Sequence, residues 1–466
     1  MLSSAVQSLA TTDDFISAVR EVLQDHIEFE HGEVGMVVGI VDERGAQVVS
    51  YGKMGPNAAE VNGDTVFEIG SITKTFTALL LQEMIENGRM KLDDPVAKYL
   101  PTSVRPPTRS GKEIALLHLA THTSGLPRDP DNLKPRNWAN GYADYTNEGL
   151  YAFLSGHTLI RDPGVQYEYS NLGMGLLGHV IALETGTDYE SLVLDRICKP
   201  LGMASTRITL TPELKARLAT GHDWFGKPAA TQDLGALSGA GGIHSTANDM
   251  LKYLSANLGL TESRLTPLMQ KTQETRLKIK VQGGAENQGL AWVSAGDLIW
   301  HAGGTSGFSS FAGFNRKERR GIVVLFDSSA GRGVYPVVNL LLNADWRADK
   351  RPTVTPIARP AFPPAPVFVK LDGAALDTFV GRYQLASGHV FRLSREQDHL
   401  IMLPERRGGL ELYPESEAKV SCPYFQFEVT LLKDAKGEII GVTTACPEPD
   451  FTGKAMRVPP SGDGVR

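Results

Sequence analysis

Apolar residues first fall into a hairpin pattern. Met36–Val41 and Ala46–Tyr51 are apolar, β-branched runs joined by a short polar loop at Asp42–Gly45, which predicts two paired strands. Upstream, Phe15, Val19, Val22, Leu23 and Ile27 recur at helical spacing over 13–27, with Thr12 or Asp13 available as the cap. The strongest helical pattern covers 71–87: Ile72, Phe76, Leu79, Leu80 and Met84 form a stripe, and Gly88 is placed to end it. Further helical patterns follow at 113–120, 171–185, 188–197 and 246–258. Strands return at 298–302, 308–315 and 321–327, the last holding the continuous run Ile322–Phe326. The chain thus opens and closes with strands and holds its helices between. That order predicts an α/β domain: one sheet built from both ends, flanked by helices, with a helical region inserted.

Residues 351–366 carry six prolines and predict a semi-rigid linker. After it come short alternating runs: His389–Leu393, His399–Leu403, Leu410–Tyr413, Tyr424–Val429 and Ile439–Thr443. Spacing near ten residues predicts a small all-β barrel or sandwich. The expected organisation is a large domain over 1–350, the linker, and a small β domain over 367–466.

Composition changes this picture little. At 466 residues two domains are the natural expectation, and 41% hydrophobic with 21% charged residues is ordinary for a folded chain. A formal net charge of -6 without a Lys/Arg run argues against a nucleic-acid partner. No apolar stretch approaches the roughly 20 residues needed to span a bilayer. The first residues lack a basic n-region and an apolar h-region. The expected location is therefore cytoplasmic if Met1 is native, and periplasmic or secreted if a leader was removed. Cys198, Cys422 and Cys446 make neither a disulfide framework nor a zinc spacing. Cys422 and Cys446 could pair in an oxidising compartment, but three buried free thiols is the expectation.

Three segments could carry chemistry. Ser71-Ile-Thr-Lys74 opens the strong helix, and its i, i+3 spacing stacks hydroxyl and ammonium on one face. Helix N-terminal N–H groups favour a developing oxyanion, and a desolvated lysine can serve as a base. Tyr169-Ser-Asn171 opens the helix at 171–185; a tyrosine beside a lysine can handle protons, and the asparagine amide can hold lysine or substrate. His301-Ala-Gly-Gly304 ends a late strand, where glycines let the backbone approach a ligand. Each has a plainer reading when taken alone: a capping serine, a buried tyrosine, a structural histidine. His118 and His122 lie four apart, but no Glu follows the first as in His-Glu-x-x-His, so a structural role is expected. No serine sits in a Gly-x-Ser-x-Gly elbow.

In conjunction and in this order, the three segments resemble the serine β-lactamase and penicillin-binding protein superfamily over residues 30–345. The similarity is to its class C β-lactamase-like branch, which includes D-amino-acid peptidases and family VIII carboxylesterases. Asp64–Thr77, Leu117–Pro127, Pro200–Met203, Ala240–Ile243, Ser245–Asp249 and Gly289–Trp292 resemble further family segments in the expected order. The resemblance implies that Ser71 is the nucleophile and that Lys74 either deprotonates it or holds Tyr169 ionised. It implies that Tyr169 passes the proton to the leaving group. Asn171 would contact Lys74 and substrate, and His301 and Gly303 would line the cleft. The backbone N–H groups of Ser71 and Gly304 would form the oxyanion hole. No cofactor or metal is implied.

The family's class C β-lactamases carry Lys-Thr-Gly where this chain has His301-Ala-Gly303, which puts efficient β-lactam hydrolysis in doubt. The C-terminal segment, opening at Leu376–Tyr383, resembles the lipocalin-like barrels appended to some relatives. The expected function is a serine hydrolase acting through an acyl-enzyme on small ester, amide or peptide substrates. β-Lactamase or penicillin-binding activity and acyl transfer within a biosynthetic pathway are the alternatives. Assembly into homo-oligomers stays open.

Overall fold

The computed structural model describes residues 34–330 and 365–459, except 56, 282–283, 406–407 and 448, together with 17, 19–24, 27 and 338. Most of the proline-rich segment, and the start of the helix expected over 13–27, lie outside the described residues.

The larger domain is built on an eight-stranded sheet. Its strands are β1 (Gly35–Asp42) and β2 (Gly45–Gly52); after a separate two-stranded pair, β3 (Phe67–Glu68) and β4 (His244–Ser245), come β5 (Leu277–Val281), β6 (Gly284–Gln288), β7 (Val293–Ala295), β8 (Leu298–Gly304), β9 (Ser309–Asn315) and β10 (Arg320–Phe326). The order is β2-β1-β10-β9-β8-β7-β6-β5 with every neighbour antiparallel, so the sheet does join both ends of the domain. Both faces of β1 and β10 are covered, which explains their unbroken apolar runs. Val37, Val41, Val323 and Leu325 pack toward the main helical core. Met36, Val38, Ile40, Ile322 and Val324 pack instead with Val19, Leu23 and Ile27.

The helices that matter for the site are α1 (Thr73–Glu86), α2 (Leu116–Ala120), α3 (Asn147–Gly156), α4 (Asn171–Thr185) and α5 (Ala247–Leu258). The stripe expected on α1 turns out to be a fully enclosed helix: every residue from Thr73 to Met84 is buried, polar ones included. Its hydroxyls are therefore matched inside the protein, Thr77 Oγ1 donating to Gly239 O at 2.7 Å and Thr75 Oγ1 accepting from Tyr253 OH at 3.0 Å. Gly88, at φ +70°, stops the helix as expected. Helix α3 and strands β5–β7 were not foreseen.

The C-terminal region is a closed eight-stranded barrel: β11 (Gly381–Leu385), β12 (Val390–Glu396), β13 (His399–Pro404), β14 (Leu410–Ser416), β15 (Lys419–Ser421), β16 (Glu428–Lys433), β17 (Ile439–Ala445) and β18 (Gly453–Arg457). Pairing of β11 with β18, Tyr383 opposite Arg457, closes it around Phe379, Tyr383, Leu393, Met402 and Val429. One expected strand needs correction. Tyr424–Phe427 are not extended, and β16 starts only at Glu428, because these residues turn toward the larger domain. Trp224 donates from its backbone to Tyr424 O at 3.3 Å and from its indole to Gln426 Oε1 at 3.0 Å, and its ring meets Phe425 edge-on. The cysteine expectation also shifts: all three are free, but Cys446 is only half-buried.

Candidate active site

Ser71 stands in a 3-10 turn, Gly70–Ile72, and α1 itself begins at Thr73, two residues after the expected helix start. The turn is wedged against the end of β8. Gly70 adopts φ +48°, and a Cβ there would come within 2.8 Å of Gly304 N. A Cβ on Gly303 would stand 2.1 Å from Ile69 O. Ser310 Oγ donates to that same carbonyl at 2.9 Å. These two glycines let backbone meet backbone, which is how Ser71 and Gly304 become neighbours across the cleft.

Lys74 is fully buried one turn along from Ser71. Its Nζ lies 2.9 Å from Ser71 Oγ, 2.9 Å from Asn171 Oδ1 and 2.6 Å from Ala240 O. Burial holds its pKa well below the usual lysine value, and the Arg128 charge lowers it further. A neutral amine has two N–H groups and one lone pair. The amide oxygen and the Ala240 carbonyl can only accept, so in the neutral form they would take both N–H groups and leave the lone pair toward the Ser71 hydroxyl. In the charged form the third N–H donates to Ser71 Oγ.

Tyr169 and Asn171 come from the start of α4. Ser170 caps that helix, its Oγ accepting from Gly173 N at 2.8 Å, and the carbonyl of Arg128 accepts from the N–H groups of Asn171 and Leu172. The Ser71 side chain favours the ionised form of the Tyr169 hydroxyl, as does the Arg128 charge. The Lys74 Nζ lies 4.9 Å from its ring centre and the Arg128 guanidinium 5.0 Å. Burial nevertheless outweighs these partners and pushes the Tyr169 pKa up to about 12. Burial thus biases the pair toward amine and phenol and away from a phenolate held by an ammonium.

His301 is 6% exposed, and its Nδ1–H donates to Ala302 O at 2.7 Å. Burial, aided by Lys74, lowers its pKa to about 3, so the ring is neutral and its other nitrogen is an acceptor.

Three neighbours, Arg128, Asp129 and Tyr142, were not singled out from the sequence. Asp129 Oδ1 accepts from Asn171 Nδ2 at 3.0 Å and from Tyr142 OH at 2.5 Å, fixing which way the asparagine amide faces. Arg128 lies beside Asp129, with 3.8 Å between guanidinium and carboxylate. His122, expected to be structural, backs the site: Nδ1 accepts from Ser170 N at 3.1 Å, and the ring lies 4.5 Å from that of Tyr169. His118 instead caps its own helix, accepting from Ala115 N. For His122 and Arg128 the usable signal was position, inside and just after the Leu117–Pro127 segment.

Known proteins share this arrangement's framework. The Beta-lactamase family model matches residues 13–340. The D-alanyl-D-alanine-carboxypeptidase/endopeptidase AmpH of Escherichia coli K12 is 32% identical over 337 residues, 68% of this chain and 86% of that protein. A β-lactamase of Pseudomonas fluorescens is 30% identical over 286 residues, 59% of this chain and 74% of that one. The β-lactamase/D-alanine carboxypeptidase of Yersinia pestis superposes with a TM-score of 0.61 at 28% identity, covering 72% of this chain and 100% of that structure. The family match ends at residue 340, so the barrel lies beyond it. With these matches spanning most of the catalytic domain, the chain belongs to the β-lactamase family of serine hydrolases.

Proposed function

We propose that the chain hydrolyses small amides, D-configured peptides or esters through an acyl group carried on Ser71. Lys74, as a neutral amine, receives the Ser71 proton while the oxygen attacks the substrate carbonyl. The tetrahedral oxyanion faces the N–H groups of Ser71 and Gly304. Collapse breaks the bond to the leaving group, which takes the Tyr169 proton, and Lys74 returns a proton to Tyr169. Water then repeats the sequence on the ester. Asn171, oriented by Asp129, keeps Lys74 in place.

The observation that carries this reading is the buried Lys74 Nζ, 2.9 Å from Ser71 Oγ, with Asn171 Oδ1 at 2.9 Å and Ala240 O at 2.6 Å able to take both N–H groups of a neutral amine. Relatives named as D-alanine carboxypeptidases support the peptide branch. The neutral His301 supports amides and esters over carboxylate-bearing β-lactams. A fluorophosphonate probe should label Ser71, and Ser71→Ala should lose both labelling and turnover of p-nitrophenyl acetate, D-alanyl-p-nitroanilide and nitrocefin. Labelling of the alanine variant at the same rate would overturn the assignment.

A further inference from the structure

Between the two domains lies a cavity of about 270 Å³. Its larger-domain wall includes Leu133 and Trp138, and its barrel wall includes Met402, Leu410, Phe425 and Phe451. Its lining also includes Arg128 and Asp129. Arg128 is the residue over the Tyr169 ring, and Asp129 holds the Asn171 amide. Both residues therefore belong to two walls at once, that of the reacting centre and that of the cavity.

We propose that this cavity receives an apolar alkyl or aryl substituent of the substrate that acylates Ser71, so that the barrel supplies half of a specificity pocket. The proposal rests on Ser71 acting as the nucleophile. Three observations carry it. Hydrocarbon and aromatic rings make up most of the lining, which suits a group with no hydrogen bonds to satisfy. The carboxylate in its lining is already engaged: Asp129 Oδ1 by Asn171 and Tyr142, and Oδ2 by the Gly408 N–H of the barrel at 3.4 Å. That carboxylate makes no demand for a charged ligand, Gln232 Nε2 is spent on Ser306 Oγ at 2.6 Å, and Arg128 lies beside Asp129 at 3.8 Å. The barrel is also positioned deliberately: Tyr424–Phe427 leave the strand pattern to engage Trp224, and this same excursion places Phe425 in the cavity wall.

The test uses the full-length protein and two substrate series. One lengthens the acyl side of p-nitrophenyl esters from acetyl to octanoyl; the other lengthens the leaving side of D-alanine N-alkylamides. In one of them kcat/KM should rise about fourfold per methylene until the cavity is full, the gain expected for burying one CH₂. Leu410→Trp fills the cavity and should cut the long-to-short ratio at least ~10-fold. Trp138→Ala enlarges it and should move the optimum to longer chains. Ile440→Trp, on an exposed position of β17, should leave the ratio unaltered. Cys446 lines the cavity and offers a readout free of turnover. Octyl fluorophosphonate on Ser71 should slow its alkylation by N-ethylmaleimide, and methyl fluorophosphonate should not. Flat dependence in both series with short substrates still turned over would overturn the pocket and leave the hydrolase reading standing. Equal Cys446 alkylation with both phosphonates would overturn it as well. Absence of any Ser71-dependent turnover or labelling would remove both readings.

Discussion

Replacing Lys74 by arginine separates a base from a fixed cation. Lys74 Nζ is enclosed by Asn171 Oδ1, Ala240 O and Ser71 Oγ, all within 2.9 Å. A guanidinium keeps its positive charge but cannot give up a proton in a protein, so it cannot take the Ser71 proton. Loss of a general base removes about 10²–10⁴-fold in rate, or ~3–5 kcal/mol of barrier. If Lys74 served only as a cation beside a phenolate, arginine would preserve much of the activity. Lys74→Met supplies the neutral counterpart, similar in length and unable to titrate. The assay is kcat/KM for p-nitrophenyl acetate on wild type, K74R and K74M, with circular dichroism to confirm the fold. Both variants should fall at least ~100-fold. A folded K74R that keeps more than about a tenth of the wild-type value would refute the neutral-amine base.

The same burial should appear in stability. The folded pKa of Lys74 lies well below the unfolded value near 10.5. Between those two values the unfolded chain holds one proton more than the folded chain. Stability therefore rises with pH across that window, by at most about 1.4 kcal/mol per unit. This contribution is fully present above the unfolded pKa and lost as pH falls toward the folded one. K74M lacks the group, so the wild type should gain on it in thermal melts between about pH 7 and pH 10. A constant difference would mean that Lys74 stays charged in the folded protein.

Tyr169→Phe should cost ~100-fold on D-alanyl alkylamides, which need a proton to leave, and far less on p-nitrophenyl esters; equal losses, measured side by side, would remove Tyr169 from the leaving-group step. Asp129→Ala frees the Asn171 amide to turn and leaves Tyr142 OH without its buried acceptor, so melting should show a loss of about 1–3 kcal/mol together with lower kcat on every substrate; unchanged kcat would count against the orienting role. His301→Lys restores a cation and should raise kcat/KM for nitrocefin by ~10–100-fold, the range of a charge-assisted hydrogen bond, with p-nitrophenyl butyrate flat or lower. Gly303→Ala forces a methyl to 2.1 Å from Ile69 O and should abolish Ser71 labelling, read by intact mass.

What the sequence made legible follows from how local each signal is. Ser71 and Lys74 lie three residues apart, and helical geometry alone predicts their contact, found at 2.9 Å. Alternation and apolar runs marked β1, β2, β8, β9 and β10 because both faces of the central strands are buried. Strands β6 and β7 escaped notice because Gly284–Gln288 and Val293–Ala295 are too short or too polar to show alternation, whereas Leu277–Val281 of β5 does alternate and was legible. Helix α3 has only Leu150, Phe153 and Leu154 buried, too few positions to establish a period. Tyr424–Phe427 read as strand because their alternation is real; their use is a contact with Trp224, some 200 residues away in sequence, which no local pattern encodes. Asp129 was invisible for the same reason, since its meaning lies in partners at 142, 171 and 408.

Burial also sets the charge state of the reacting centre. Lys74, His122 and His301 are each driven toward the neutral form, and Tyr169 toward its protonated form, mainly by desolvation. On the proposed mechanism, proton transfer from Ser71 to Lys74 then creates an oxyanion and an ammonium together, inside a site that held neither before. Their attraction is strongest in such a low-dielectric enclosure, and it exists only once the tetrahedral state is forming. A permanently charged lysine would attract anionic ground states as well. A neutral resting amine would confine that stabilisation to the reacting state, which is the condition for raising kcat and not merely lowering KM. Arg128 keeps to the same logic: its charge lowers the Lys74 pKa further, and a developing negative charge beside Tyr169 would feel it most as the leaving group departs.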